Sequence, residues 1–408
     1  MVKSLLLLSH FVFLYFACPA FTMSWGHRAL HPKHFQGSED DTSRYLKRHC
    51  SGQRRPFEQL VEQMLLPYKD GIAVDDLFKM SNCSCYSVAT PSGTTCTALL
   101  VLDGQLYVHK STRKEGVDTK AFAYYYIPLM QQLSSLVRLP DMLMIFNPND
   151  APTDDGLCGG PAFGYCNVQG SSTNLLLPAS CYDPVHPNTV ACSPGKKCTP
   201  GAQDDRTPMA VFLGSPTGWL KGKRRGVLLA GQKHPNMVYS DVRYIPDTER
   251  QFSGPNQLNI SNKPGMTLQE QAETFKYFVS VDGQCASMRL KSELSSPSAV
   301  FVVQSDEQEW YTPLLRPYTH YIPVLFDPDV YTAEGGLDLV SKIHWAENHP
   351  DKIADIVRSA NKFSSHSLTE QAQLCFATLL LNRYAALIDN PKRLRSLYSN
   401  NDTDYELL

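Results

Sequence analysis

Four short stretches carry side chains suited to moving protons or holding phosphate. Asp150 follows the apolar run Met142–Phe146 by a few residues, just past what reads as the C-terminal end of a buried strand. Crevices open at such ends in α/β sheets, and a carboxylate there could serve as a general base toward a hydroxyl. The alternative is turn chemistry, because Asn149-Asp150-Ala151-Pro152 also fits an Asx-turn. Gly214-Ser215 follows a second apolar run, Met209–Leu213, and precedes the basic series Lys221, Lys223, Arg224 and Arg225. A Gly-Ser turn supplies backbone N–H groups and the basic run supplies charge, a pairing that suits phosphate. For the individual lysines a solvated loop is the simpler explanation. Arg289 comes one turn or so into an expected helix after Asp282-Gly283, where N–H groups, dipole and guanidinium could meet an anion. Its alternative is the common one for a helical arginine, the open surface. Glu309 closes the acidic stretch Asp306-Glu307-Gln308-Glu309 and could accept hydrogen bonds or simply face water.

The surrounding pattern predicts the elements that would position these groups. Ala98–Leu102 and Leu106–Val108 alternate around Asp103-Gly104, a hairpin signal. Met142–Phe146, bounded by Pro140 and Pro148, reads as a central strand covered on both faces. Phe275–Val281, a helix over 286–294 and Ala299–Val303 make a β-α-β unit, the strongest organisational signal in the chain. His320–Val324 reads as an edge strand, since Pro323 has no N–H. Helices are expected over 57–68, 121–137, 337–348 and 351–363. A last one opens on the capping box Ser367-Leu368-Thr369-Glu370 and runs to about Asp389. Residues 151–208 read as a disulfide-stapled loop region holding Cys158, Cys166, Cys181, Cys192 and Cys198, with only Ala162-Phe163 and Leu175–Leu177 core-forming. A zinc site is the weaker alternative, because no CxxC or paired-His spacing is present.

Length and composition set the bounds. A chain of 408 residues exceeds the usual size of one hydrophobic core, so two domains are expected. With 38 Lys+Arg against 40 Asp+Glu the net charge is −2, which argues against a general nucleic-acid binder. A 42% hydrophobic fraction excludes a disordered chain. Lys3, the apolar run Leu5–Phe16 and the small residue Ala20 read as a secretory signal peptide; an uncleaved anchor is the alternative, for which the run is short. Removing Cys18 with it leaves an odd number of the 12 cysteines, so at least one thiol stays unpaired in an oxidising compartment. Asn82, Asn259 and Asn401 head N-glycosylation sequons. The terminal Tyr405-Glu406-Leu407-Leu408 is not a KDEL signal.

Several stretches, in this order, resemble the Rumi-type protein O-glucosyltransferases and the wider capsule-associated glycosyltransferase family. They are Asn82-Cys83-Ser84-Cys85-Tyr86; Leu139-Pro140-Asp141 with Asn147–Pro152, like "LPDxxxxxNxRDxP"; Phe212-Leu213-Gly214-Ser215, like "FRGS"; Ser287-Met288-Arg289-Leu290-Lys291, like "SxRxK"; and Glu309–Val324, like "EFFYPxLKPWVHYIPV". The resemblance implies an α/β, GT-B-like fold, with two Rossmann-like domains facing a cleft and C-terminal helices packing back on the N-terminal domain. The implied organisation is a signal peptide over 1–20, a polar leader over 21–55, and an acceptor-side domain over 56–208 with a Cys-rich insertion at 154–202. A nucleotide-sugar domain over 209–364 and a crossover helix and tail over 365–408 complete it. The implied activity is inverting and metal-independent, moving glucose or xylose from UDP-glucose or UDP-xylose to a Ser/Thr hydroxyl of a secreted or membrane protein, such as a cysteine-rich module, or to a glycan. The nucleotide sugar is the donor substrate, no cofactor or nucleic acid is expected, and the protein is expected to be a monomer in the ER or Golgi lumen or outside the cell.

On this likeness Asp150 matches the catalytic aspartate, and Arg289, Gly214, Ser215 and Arg224 are candidates for the diphosphate. Asp282 lies in the same group, and Glu309 matches an acidic position that could accept from ribose hydroxyls. Cys375 resembles a cysteine tied to the N-terminal CSC segment, which makes Cys83–Cys375 a candidate bridge. Two departures matter: Leu213 and Asn149 stand where the family motifs carry arginine. Lys223 or Arg224 could replace one of these charges. A catalytically inactive relative that binds a glycan or a client protein is therefore the rival reading, and a purely structural disulfide-rich protein a third.

Overall fold

The computed structural model describes residues 39–81, 97–109, 126–147, 160–170, 174–179, 192–193, 196–214, 222–242, 257–261, 263–327, 336–400 and 405–408. The signal peptide, Cys83, Asn149, Asp150, Ser215 and the sequons at Asn82 and Asn401 lie outside the described residues. Asn259 is described and exposed.

The first sheet is built early in the chain. Strand β1 (Thr97–Leu102) and strand β2 (Gln105–His109) form the expected antiparallel hairpin, with Leu99 opposite Val108. Asp103 and Gly104 both take positive φ, 52° and 77°, the twist a two-residue type I′ turn requires. Strand β3 (Met142–Phe146) is buried along its whole length, and β1 runs antiparallel to it on one side. On its other side come β4 (Ala162–Gly164) and then β6 (Asn174–Leu176), both parallel to the strand before them. The region read as stapled loops therefore contributes two strands to this sheet. Its few apolar residues, Phe163, Leu175 and Leu176, are the ones that find the core. A short strand β5 (Asn167–Val168) lies between them in sequence. The first sheet is thus mixed.

The second sheet is all parallel. It contains β7 (Thr207–Leu213), β8 (Val238–Asp241), β9 (Phe275–Ser280), β10 (Ala299–Val303) and β12 (Ile322–Val324). Their spatial order is β12-β10-β9-β7-β8, the doubly wound order in which the chain reverses direction between β7 and β9. Alternate residues face opposite cores, as a sheet covered on both sides demands. Ala210, Phe212, Tyr277, Val279, Phe301 and Val303 join one cluster, while Val211, Phe278 and Val300 join the core shared with the first sheet. Pro323 sits on β12, which has β10 as its strand partner at the sheet edge.

Helices cover both sheets. In chain order they are α1 (Glu39–His49), α2 (Arg54–Leu65), α3 (Val74–Ser81), α4 (Ile127–Leu136), α5 (Lys223–Lys233), α6 (Leu268–Thr274), α7 (Leu290–Leu294), α8 (Leu339–Glu347), α9 (Pro350–Ser367), α10 (Glu370–Leu387) and α11 (Pro391–Asn400). Helix α10 is buried on nearly every side, and Tyr384 donates from within it to the carbonyl of Leu143 at 2.7 Å. A last strand, β13 (Tyr405–Leu407), adds to β2. The C-terminal segment thus returns to the first sheet. No helix among the described residues is long and apolar enough to cross a membrane.

Four expectations are corrected. The stretch read as a polar leader over 21–55 holds α1 and the start of α2; Leu46 and Cys50 are buried, and Tyr45 accepts a hydrogen bond from Gln371 at 2.8 Å. Cys375 is bridged to Cys50, not Cys83, because the end of α1 lies against α10 with a Cα–Cα distance of 5.6 Å. The helix expected over 286–294 shortens to α7, because Asp282 Oδ1 accepts from the Ser287 amide at 3.0 Å and holds the preceding residues in a turn. Finally, α9 runs on to Ser367, so Thr369 caps α10 through the Ala372 amide at 3.2 Å. The reciprocal capping box is found instead at α6, between Thr267 and Glu270.

Candidate functional site

The reversal between β7 and β9 is where an α/β sheet opens a crevice at its strand ends. Residues from both sides of that reversal, and from the first turn of α5, meet there. Strand β7 ends in Leu213-Gly214, and Gly222, in left-handed backbone at φ 65°, caps α5. Gly214 is required by its neighbour: a Cβ at that position would stand 2.8 Å from Cζ of Phe212. The Phe212 ring is flanked by two guanidinium groups, with the Arg289 Cζ 5.3 Å and the Arg224 Cζ 5.9 Å from its centroid.

Hydrogen bonds hold both arginines. Arg289 Nη1 donates to the carbonyl of Leu213 at 2.8 Å, and Arg224 Nε donates to the carbonyl of Asp282 at 3.0 Å. The Asp282 carboxylate faces Lys223 Nζ at 3.6 Å, and Lys223 also donates to Ser305 Oγ at 3.0 Å, just past β10. Glu293 stands behind Arg289, with Oε1 3.7 Å from Nε. Burial drives the Glu293 carboxyl above the ordinary range, and the Arg289 charge opposes that shift. Lys223 and Asp282 are nearly enclosed, whereas the Arg289 side chain keeps 31% of its surface open. Three cations are thus held around Asp282 and the Phe212 ring beside the N-terminus of α5, a constellation suited to a phosphate ester.

This site is tied to the first sheet. Cys285, between Asp282 and Arg289, is disulfide-bonded to Cys166, two residues past the end of β4. Strand β11 (Glu307–Gln308) pairs antiparallel with β5, and Gln169 N donates to the Asp306 carbonyl at 2.7 Å. Both contacts come from the C-terminal ends of strands in the two sheets.

The sequence profile of glycosyl transferase family 90 matches residues 76–398, more than half of the chain. The chain belongs to glycosyl transferase family 90. It is similar to Protein O-glucosyltransferase 2 of Danio rerio, 32% identical over 119 residues, covering 29% of this chain and 22% of that protein. It is similar to the O-glucosyltransferase rumi homolog of Anopheles gambiae, 28% identical over 183 residues, covering 45% of this chain and 43% of the relative. It also resembles O-glucosyltransferase rumi of Drosophila melanogaster, 23% identical over 293 residues, covering 68% of this chain and 65% of the fly protein. Each match spans less than two thirds of the relative's length.

Of the residues singled out in the sequence of this family 90 chain, Gly214, Arg224, Asp282 and Arg289 come together. Asp150 and Ser215 lie outside the described residues. Arg289 is the residue before α7, not one turn into a helix, and its guanidinium acts from a turn. Glu309 is buried behind the site beside Tyr311. Burial pushes its carboxyl up to about 8; Lys291 opposes that shift, and the Asp282 charge adds to it. Its carboxyl is therefore harder to ionise than an ordinary one, and it is largely enclosed. His320 has a structural setting. His320 Nδ1 accepts from the Arg316 amide at 3.0 Å and its ring packs on Phe363.

Sequence reasoning carried Phe212 and Ser287 only as letters of the FRGS-like and SxRxK-like stretches, and it missed Glu293 and Ser305, which carry no local signal. Among the described residues no group of three or more His, Cys, Asp or Glu is arranged to hold a metal ion.

Proposed function

We propose that this chain is an inverting, metal-independent glycosyltransferase of the secretory pathway that moves glucose or xylose from a UDP-sugar to a Ser/Thr hydroxyl of a protein. The observation that carries the reading is the cluster of Lys223, Arg224 and Arg289 at the β7–β9 reversal, tied by Cys166–Cys285 to the strand ends of the first sheet. In this reading the two sheets form a GT-B-like pair around a cleft, with acceptor on the first side and nucleotide on the second. Asp150 follows Asn147, whose amide still donates to the Phe163 carbonyl on β4 at 2.7 Å.

The chemistry follows from these roles. Asp150 takes the proton of the acceptor hydroxyl as its oxygen attacks the anomeric carbon from the side opposite the diphosphate. The bond between that carbon and the β-phosphate oxygen breaks, and its electron pair stays on UDP. Arg289, Arg224 and Lys223 with the α5 N–H groups stabilise the growing charge. Arg224, whose guanidinium lies 5.9 Å from the Phe212 ring, supplies from the following helix the cation that the family motif carries at position 213. The protein acceptor accords with the names of the O-glucosyltransferase relatives, and disulfides such as Cys50–Cys375 suit an oxidising lumen.

The test is UDP release from UDP-glucose and UDP-xylose by protein secreted from an oxidising host, with and without EDTA. Turnover that survives EDTA and is lost in Asp150→Asn is expected. A strict metal requirement, or equal turnover in the variant, overturns the mechanism. The departures at Leu213 and Asn149 favour a second reading, an inactive relative that binds a glycan or client. It prevails if UDP raises the melting temperature while wild type and variant both turn over nothing.

A further inference from the structure

Four consecutive residues of the first half, Cys166 to Gln169, touch two loops of the cation cluster, the one that bears Arg289 and the one that follows Ser305. Cys166 is bonded to Cys285 in the loop that bears Asp282, Ser287 and Arg289. Asn167 and Val168 pair with Gln308 and Glu307, and Gln169 N donates to the Asp306 carbonyl. Those partners follow directly on Ser305, the acceptor of Lys223. The disulfide is enclosed in a small apolar cluster of Tyr165, Ala179 and Ala286, with Met288 against it. The loop also closes on itself, through Gly283 N to the Cys285 carbonyl at 3.0 Å and Ser287 N to Asp282 Oδ1 at 3.0 Å.

We propose that the segment 166–169, through its Cys166–Cys285 disulfide, is a positioning clasp that preforms the diphosphate cradle before nucleotide arrives. The proposal rests on the glycosyltransferase reading for the identity of its ligand. Without the clasp, the loop from Asp282 to Arg289 keeps its internal turn, the contacts of Asp282 with Arg224 and Lys223 and the bond from Arg289 to Leu213, but loses its covalent tie to the first sheet. Nucleotide must then order the loop itself, which costs affinity in proportion to the side chains immobilised. The clasp does not touch the reacting atoms. Its loss should raise KM for the donor while kcat and the KM for the acceptor hold.

The experiment compares UDP binding by calorimetry for the wild-type full chain, Cys166→Ser/Cys285→Ser, and Cys192→Ser/Cys198→Ser. The last also loses a disulfide, one that closes a short loop elsewhere. About tenfold weaker binding is expected for the first variant, the effect of one or two side chains left unordered, and no change for the second. Hydrogen exchange on wild type keeps the proposal testable if the first variant fails to fold. A preformed loop has amides over 282–289 already protected without ligand and little altered by UDP. Equal affinity in the first variant, an equal loss in both variants, or strong new protection of 282–289 on adding UDP to wild type overturns the clasp. A wild-type protein that binds no UDP sinks the glycosyltransferase reading instead, and exchange over 282–289 in the first variant then decides whether the disulfide orders the loop.

Discussion

Replacing Arg289 with alanine is the most direct perturbation of the candidate site, and its size can be worked from the surroundings. The guanidinium spends one N–H on the Leu213 carbonyl and faces Glu293 at 3.7 Å, which leaves other donors for a phosphate. A hydrogen bond to a charged group contributes about 1.5–3 kcal/mol. Because 31% of the Arg289 side chain stays open to solvent, the lower end applies, and UDP should bind about tenfold more weakly. Stability should change little. Arg289 opposes the upward shift of the buried Glu293 carboxyl, so its removal lets that group take a proton and no lone buried anion is left behind.

Titration calorimetry with UDP, at constant salt, reads the change. Arg289→Lys should recover part of the affinity, since charge returns without the planar fork. Glu293→Gln should weaken binding in wild type and have no effect in the Arg289→Ala background, because the carboxylate acts through the guanidinium. A double-mutant cycle isolates that coupling, about 0.5–3 kcal/mol for groups in one network. Arg289→Ala binding UDP within twofold of wild type would refute the assignment, and additive effects in the cycle would refute the role given to Glu293.

Gly214→Ala should weaken UDP binding and cost about 1–3 kcal/mol in denaturant unfolding, because the new Cβ displaces the Phe212 ring on which both arginines rest. Arg206→Met should cost about 3–5 kcal/mol by the same measurement: Arg206 and Asp204 are almost fully buried, and Arg206 also binds the Ala272 and Pro297 carbonyls. A native Glu309 carboxyl raised to about 8 holds its proton where the unfolded group, at 4.5, has lost it. The native state then binds more protons, and this contribution to stability falls as pH rises from 4.5 to about 8. Glu309→Gln should flatten that part of the stability–pH curve and leave it unchanged below pH 4.

What could be read in the sequence and what could not differ by the range of the interaction that decides them. The hairpin turn at Asp103-Gly104, the wholly apolar β3 and the β9-to-β10 unit are each specified by neighbours in the chain, through turn chemistry or periodicity. They were legible for that reason. The same holds for Gly214 and Arg289, which stand at fixed offsets from a strand end or a turn. Helix α1 was not legible, because its polar sequence gives no reason to be ordered until Cys375, far along the chain, supplies an anchor. Strands β4 and β6 were missed because three residues cannot show a period; β3 and the edge it offers make them strands. Arg289 shows both cases at once. Its offset from Asp282-Gly283 marked it for phosphate, while its true setting comes from a tertiary bond, Arg289 to the Leu213 carbonyl, and from a disulfide reaching the other sheet. A buried partner such as Glu293 lies one helical turn beyond Arg289 and looks like any surface acid until the fold removes its water. A candidate site in such a chain is therefore readable in its anchors and unreadable in their supports.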